Sequence, residues 1–430
     1  MEMAEEILVK VPQCPWYGDT EFDLKFPVSW EVRTYSMAGE KARALSEADM
    51  RDSFANPIGN ARIAELACGK KEVVILFDDL SRPTKVAEIV PFVLQELREG
   101  GIEDENIRFI ACLGAHGAMR LMDFVKKLGP ETVHKFPVYN HNPYDNCTFL
   151  GTTARGTPVS INSEVMACDL KIAIGVILPH LTAGFGGGGK SILPGVAHID
   201  TILSNHKNVA GRGKPTVENP LGKLDPSVGF GKIHGNAIRL DIEEAARMAG
   251  LDVIVNAVVN LKRDTVGLFV GDMVAAHREG VKLAEKVYVT QRPTKVDIVV
   301  ANSHAKANEG IVALQNVVNM LDEDCDLVLI CNTPEGQIWD YTSRSFGKYI
   351  GGRLWGPREI LPPRIKKMIV LAPYIDLAGV DWLGPSKSIF RAYGWPEALH
   401  ELKKSHGDGT KIGVIPDATL QYFTPGLCPS

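Results

Sequence analysis

No Cys-x-x-Cys spacing occurs among the eight cysteines, which stand at positions 14, 68, 112, 147, 168, 325, 331 and 428. Their scatter excludes a disulfide framework and a thiolate zinc site, and it points to reduced thiols, several of them small core residues in strands. Any metal must therefore rely on histidine. No apolar run approaches the ~18 residues of a membrane span. No Lys/Arg cluster stands out in a chain of net charge −5, so the electrostatic footprint of a nucleic-acid partner is missing. The opening residues, Met1-Glu2-Met3-Ala4-Glu5-Glu6, lack the basic-then-apolar pattern of a signal peptide, and the expected location is cytoplasmic. Internal repeats and low-complexity tracts are absent too. Apolar and charged fractions of 45% and 23% exclude disordered, collagen-like and coiled-coil chains.

What is present is an alternation. Short β-branched runs recur at 73–77, 107–113, 170–178, 253–259, 296–301, 327–331, 368–372 and 412–415, separated by turns or helix-period segments. Continuous apolar strands alternating with helices are the pattern of parallel sheets covered on both faces. Val86, Ile89, Val90, Val93, Leu94 and Leu97 recur at helical spacing before Gly100-Gly101, which closes a βαβ unit. The break at Gln291-Arg292-Pro293-Thr294 sets a boundary near residue 290. The expected fold is α/β: two α/β domains, 1–290 and 291–430, with largely parallel, helix-covered sheets and an active site in the crevice between them. The Gly/Pro-rich stretch 346–363 reads as a long loop, either a surface connection or a lid.

Three polar clusters follow expected strands of the first domain, where ligands bind in open α/β sheets. The first is Asp78-Asp79-Leu80-Ser81-Arg82-Pro83-Thr84. Its arginine suits a carboxylate or phosphate, with an adjacent aspartate to orient it, although a helix cap or surface ion pair is an equal reading of the segment alone. The second is His116, flanked by glycines in Gly114-Ala115-His116-Gly117. The third runs from Pro179-His180 through Gly184-Phe185-Gly186-Gly187-Gly188-Gly189-Lys190-Ser191 to Pro194-Gly195 and Asn205-His206. Five glycines in six residues are costly in conformational entropy, so the expectation is that a phosphate or a cofactor ring approaches this backbone.

Read literally, Gly184 to Ser191 satisfies the P-loop pattern, which makes an ATP-dependent kinase or NTPase the rival. Against it, Pro194 and Gly195 fall where the P-loop lysine should begin a helix, and the Asp78-Asp79 strand precedes the loop.

Together these residues resemble the nickel-pincer nucleotide-dependent lactate racemase family. In that family a histidine precedes the tethering lysine by ten residues and the nickel-ligating histidine follows it by sixteen; His180, Lys190 and His206 reproduce both intervals. Asp79, Arg82, Pro83 and His116 occur in the family's order. The resemblance implies a racemase or epimerase that inverts the C2 centre of a 2-hydroxy acid by hydride transfer, through a bound 2-oxo acid. It assigns His116 and His180 as the acid/base pair. Lys190 becomes the covalent anchor of a pyridinium mononucleotide carrying nickel, and His206 the protein's nickel ligand, with His198 the alternative. Asp79, Arg82, Thr84, Gly186, Gly187, Gly188, Gly189 and Ser191 are then cofactor contacts, and Arg82 also serves the substrate carboxylate.

The sequence departs from the family in its second domain, expected to close over the site. A Tyr-Gln-x-x-Lys run is replaced by Ile311-Val312-Ala313-Leu314-Gln315, which leaves Gln315 and nearby Lys306 as substrate-binding candidates and argues for malate, a longer hydroxy acid or an aldonate over lactate. Trp355 and Trp382 are further candidates to line the pocket. The partners implied are the hydroxy acid and cofactor-maturation proteins, with a homo-oligomer left open and neither nucleic acid nor membrane expected.

Overall fold

The computed structural model describes residues 6–213, 223–347, 349–356 and 360–423. These fall into two compact units, one made of 41–213 and 223–287 and the other of 6–40 and 288–423. Among the described residues no helix is long and apolar enough to cross a membrane.

The first unit is built on a six-stranded sheet whose order is Thr265–Gly271, Val253–Val259, Leu170–Val176, Val73–Asp78, Ile107–Cys112, Val138–Asn140. All neighbours are parallel except Val253–Val259 with Thr265–Gly271. Leu170–Val176 and Val253–Val259 are buried at every position, as continuous β-branched strands covered on both faces must be. The helix Val86–Glu99 turns its 86, 89, 90, 93, 94 and 97 positions inward, the stripe its sequence carries. Edge-to-face contacts of Phe77 with Phe109 and Phe124, at 6.4 and 6.2 Å, fill the space between strand and helix. Val73–Asp78 is the first of these strands in the chain; the next lies on one side of it and Leu170–Val176 on the other. That reversal of strand order fixes where a ligand site belongs.

The second unit has its own six-stranded sheet, in the order Ile389–Ala392, Ile365–Leu371, Cys325–Ile330, Ile298–Asn302, Lys411–Ile415, Glu31–Thr34, parallel throughout. The short N-terminal strand Glu31–Thr34 therefore shares a sheet with the C-terminal strands. Of the loop expected over 346–363, positions 348 and 357–359 lie outside the described residues; within the rest, Ser345 bridges to Gly351.

Candidate active site

The chain leaves Val73–Asp78 through two carboxylates with separate duties. Asp78 faces Lys127, a fully buried lysine of the helix Leu121–Leu128, at 2.7 Å and accepts from Thr84 Oγ1 at 2.6 Å. Lys127 Nζ also donates to the Arg82 carbonyl at 2.9 Å, so this buried pair clamps the loop from behind. Burial drives the two groups toward neutrality, raising the Asp78 pKa and lowering that of Lys127.

Asp79, also buried, turns the other way. It accepts from Ser81 Oγ at 2.5 Å and lies 2.6 Å from His116 Nδ1. Burial alone would raise its pKa; the charge and hydrogen bond of His116, with Arg82, outweigh that and hold it below the ordinary carboxylate value. An ionised carboxylate can only accept, so His116 Nδ1 carries the proton and Nε2 keeps its lone pair. Arg82 Nη1 donates to Ser81 Oγ at 2.6 Å, which sets the direction of its fork. The loop bearing His116 is tied in turn to the third cluster, because Gly114 N–H donates to the Gly195 carbonyl at 2.9 Å and Ser191 hydrogen-bonds the Cys112 thiol.

His180 sits in a two-residue ladder, pairing with Gly184 while Pro179 pairs with Phe185. Backbone N–H groups of Thr182 and Ala183 both donate to its Nδ1 at 3.2 Å. Its neutral ring therefore carries the proton on Nε2, the reverse of His116.

The glycine run is crowded by its own protein. A Cβ on Gly184 would lie 2.2 Å from the Lys232 carbonyl, one on Gly187 2.6 Å from Asn256 Oδ1, and one on Gly189 2.8 Å from Ala246 Cβ. Gly187 and Gly188 also adopt φ of +74° and +63°, where a side chain is strained. The close approach expected from a phosphate or cofactor ring thus has an internal source, which accounts for these glycines before any ligand is considered.

Three side chains hold the run. Buried Arg239 donates to the carbonyls of Ala183 at 3.3 Å, Gly187 at 3.0 Å and Phe185; its pKa is pushed down to about 9 by burial. Asn256 Oδ1 accepts from Gly188 N–H at 2.7 Å, and His277 Nε2 meets the Gly186 carbonyl at 2.7 Å. Sequence reasoning missed all three. The one signal was Asn256, a lone amide in the otherwise apolar run Val253–Val259.

These bonds overturn the P-loop reading. A P-loop offers its backbone N–H groups to phosphate, but here Gly186 N–H is committed to the Leu178 carbonyl at 2.7 Å and Gly188 N–H to Asn256. Lys190 begins no helix either: Gly188–Ser191 is a single 3-10 turn that runs into Pro194.

Lys190 is half-buried, and its charge acts on His206, which rides on a π-helical turn, Ser204–Val209. Such turns recur at functional sites because they aim a side chain off the regular helical face. His206 Nδ1 lies 3.0 Å from the Ile202 carbonyl, which can only accept, so Nε2 is left with its lone pair. Burial, then the charges of Lys190 and Arg212, lower the His206 pKa to about 3 and keep the ring neutral. His198 is differently employed: its Nδ1 accepts from Asp200 N–H at 3.2 Å and caps the helix Ile199–Leu203. Among the described residues no three His, Cys, Asp or Glu gather as a metal-binding group.

Asp79, Arg82, Thr84, His116, His180, Gly186 to Gly189, Lys190, Ser191 and His206 thus belong to one unit. Lys306 and Gln315 belong to the other. Lys306 is buried and paired with Glu309, and Gln315 is half-buried on the helix Gly310–Met320.

Residues 17–217 match the lactate racemase N-terminal domain family. The chain is 32% identical over 271 residues to the lactate racemase of Thermoanaerobacterium thermosaccharolyticum, covering 62% of this chain and 60% of that one. It is 34% identical over 248 residues to the lactate racemase of Lactiplantibacillus plantarum, covering 57% and 55%. The match thus spans less than two thirds of the length of each of these relatives. Its fold is similar to the lactate racemase apoprotein from T. thermosaccharolyticum, at a TM-score of 0.72 and 22% identity over 97% of this chain and 100% of that one. A Thermotoga maritima protein is similar at a TM-score of 0.59 and 14% identity, over 89% and 99%.

Proposed function

We propose, from the match of residues 17–217 to the lactate racemase N-terminal domain family, that the protein is an isomerase inverting the C2 centre of a 2-hydroxy carboxylic acid. The proposal extends to a nickel-pincer mononucleotide joined to Lys190 and ligated by His206. What carries it is the state of His206: a neutral ring with its Nε2 lone pair available and its other nitrogen held by a carbonyl, within reach of the Lys190 charge. A neutral imidazole oriented through its second nitrogen is what a metal ligand requires.

The α-hydrogen of a hydroxy acid is a poor acid, because the carbanion it leaves sits beside a carboxylate. When bound, the tethered group supplies an acceptor and donor of hydride for that hydrogen. The chain's own residues manage the proton and the substrate. His116 takes the hydroxyl proton at Nε2, and ionised Asp79 stabilises the imidazolium that results. Arg82 binds the substrate carboxylate with a fork already directed by Ser81. His180, protonated at Nε2, donates a hydrogen bond to the C2 oxygen. It can act as base toward the opposite antipode only after its proton passes to Nδ1 and the bonds from Thr182 and Ala183 open. A substrate larger than lactate, such as malate, a longer hydroxy acid or an aldonate, fits the absence of the family's Tyr-Gln-x-x-Lys run.

The test is intact-protein mass spectrometry with nickel analysis on chain co-expressed with pincer-making enzymes. A nickel-bearing mononucleotide adduct in the wild type, lost in Lys190→Ala, is expected. Absence of both adduct and nickel, while a control racemase matures, would remove the tethering role of Lys190.

A further inference from the structure

The unit made of 6–40 and 288–423 gathers polar side chains at the carboxyl ends of its parallel strands, the end of such a sheet where ligands bind. Asn308, Asn332 and Thr333 are each 5% exposed or less, yet Asn308 Oδ1, Asn332 Oδ1 and Thr333 Oγ1 are buried with no hydrogen-bond partner. Each such atom, left unanswered, forfeits the hydrogen bond it had with water, so three together point to a missing partner.

They belong to one place. The start of the helix Gly310–Met320 lies against the end of Cys325–Ile330, where a Cβ on Gly310 would meet Cys331 Sγ at 2.4 Å. Gln337 then ties the two segments, donating to the Ala307 carbonyl at 2.9 Å and accepting from Gly310 N–H at 2.8 Å, and Ile338 N–H donates to the Asn308 carbonyl at 2.7 Å. The orientation of Asn332 is fixed by its neighbour. Gln13 Nε2 donates to Thr20 Oγ1 and the Glu21 carbonyl, so Gln13 presents Oε1 to Asn332, which must answer with Nδ2 and leave Oδ1 over.

The same segment brings donors. Arg344 holds the Gln337 and Ile338 carbonyls through Nη1, at 2.9 and 2.7 Å, while its Nε and the adjacent Trp382 Nε1 are buried without partners. Its guanidinium lies over the Trp382 ring at 5.3 Å.

Acceptors and donors carried by segments tied together through Gln337 and Ile338 are matched by a group that is both at once. Hydroxyls are such groups; an ammonium ion would leave the donors unmet, and a phosphate would leave the asparagine oxygens unmet. We infer that this unit carries a binding subsite for a polyhydroxylated carboxylate, an aldonate-like chain whose hydroxyls engage Asn308, Asn332 and Thr333. The carboxylate in that class rests on the proposed racemase reading; the hydroxyl-binding subsite does not.

Isothermal titration of the full chain, without cofactor, tests it with D-gluconate as probe and D-lactate as control. Saturable gluconate binding is expected, about tenfold weaker in Thr333→Val and in Asn308→Ala, retained in Thr333→Ser, and absent for lactate. Should Thr333→Val not fold, as its melting temperature will show, Asn308→Ala carries the comparison. No binding of gluconate, or binding that ignores both variants, overturns the inference and leaves buried water as the partner of these atoms. The mass and nickel measurement on Lys190 reads the racemase proposal separately: adduct without gluconate binding removes only the subsite, and gluconate binding without adduct removes only the pincer chemistry.

Discussion

The two units share an architecture and differ in what they place at its ends. Each has a six-stranded, mainly parallel sheet. At the strand ends of the unit built from 41–213 and 223–287, charge does the holding: Asp79 faces His116, Asp78 faces Lys127, and Arg239 gathers three carbonyls. In the other unit, Lys306 pairs with Glu309, Asp417 accepts from Thr419 in its own turn and from Ala305 N–H, and Arg344 holds the Gln337 and Ile338 carbonyls beside neutral amides and hydroxyls. One fold thus carries ion pairs at the strand ends of one unit and mostly amides and hydroxyls at those of the other. The chemistry lies in the strand-end residues and not in the sheet.

The sharpest way to break this contrast is to remove the charge behind the base. Asp79→Asn keeps the shape but lets the amide donate to His116 Nδ1, which moves the proton to Nε2 and takes away the lone pair. Racemisation of the accepted hydroxy acid is expected to fall by about 10³-fold, with Kd for the substrate changed far less. Chiral chromatography of both antipodes measures the first and titration the second. A loss below about tenfold would show that His116 works without its carboxylate.

Next comes the scaffold. Arg239→Met removes the cation and leaves the carbonyls of Ala183, Phe185 and Gly187 without it, an expected loss of about 3 kcal/mol in urea unfolding. The same variant should load less adduct on Lys190, because the turn that carries the lysine loses its anchor. Unchanged stability would mean the run is held by Asn256 and His277 alone.

Acidification separates structural from working histidines. Buried His141 donates from Nε2 to the Ala197 carbonyl at 3.0 Å and accepts from Asn162 at Nδ1; desolvation is the largest cause lowering its pKa from 6.5 to about 4. The unfolded ring therefore binds a proton that the folded ring refuses, so its contribution to stability is full above pH 6.5 and is lost as pH falls toward 4. That amounts to roughly 3 kcal/mol over the window. His141→Asn should flatten this limb of the pH–stability curve, and an unaltered slope would place the proton uptake elsewhere.

Much of this was legible before the fold was known, for physical reasons that also mark the limits. Val73–Asp78 and Val253–Val259 announce themselves as continuous apolar runs because both faces are covered, and Val86–Glu99 does so by its period. The order of Asp79 and His116 and the interval from Lys190 to His206 were read from the motif, but the Asp79–His116 ion pair was not. Glu31–Thr34 was not legible: four residues, none buried, carry no pattern, and only its partner Lys411–Ile415 reveals it. Arg239 and His277 were hidden because a polar residue on a helix reads as solvent-facing until the run it packs against is known. The glycines were legible as crowded but not as to what crowds them.

The smallest expected effect discriminates most finely. His198 and His206 stand eight residues apart; the sixteen-residue interval from Lys190 selects His206, and His198 is the alternative because it lies close to the glycine loop. His198→Ala should remove the N-cap of Ile199–Leu203, cost about 1 kcal/mol and leave the nickel content of matured protein unchanged. His206→Ala should do the opposite, keeping stability within about 1 kcal/mol and the lysine adduct intact while nickel is lost. Metal analysis beside intact mass and thermal melting reads both variants at once. If nickel instead leaves with His198, the neutral, carbonyl-oriented ring on the π-helical turn has been given the wrong role, and the capping histidine must release Asp200 to take its place.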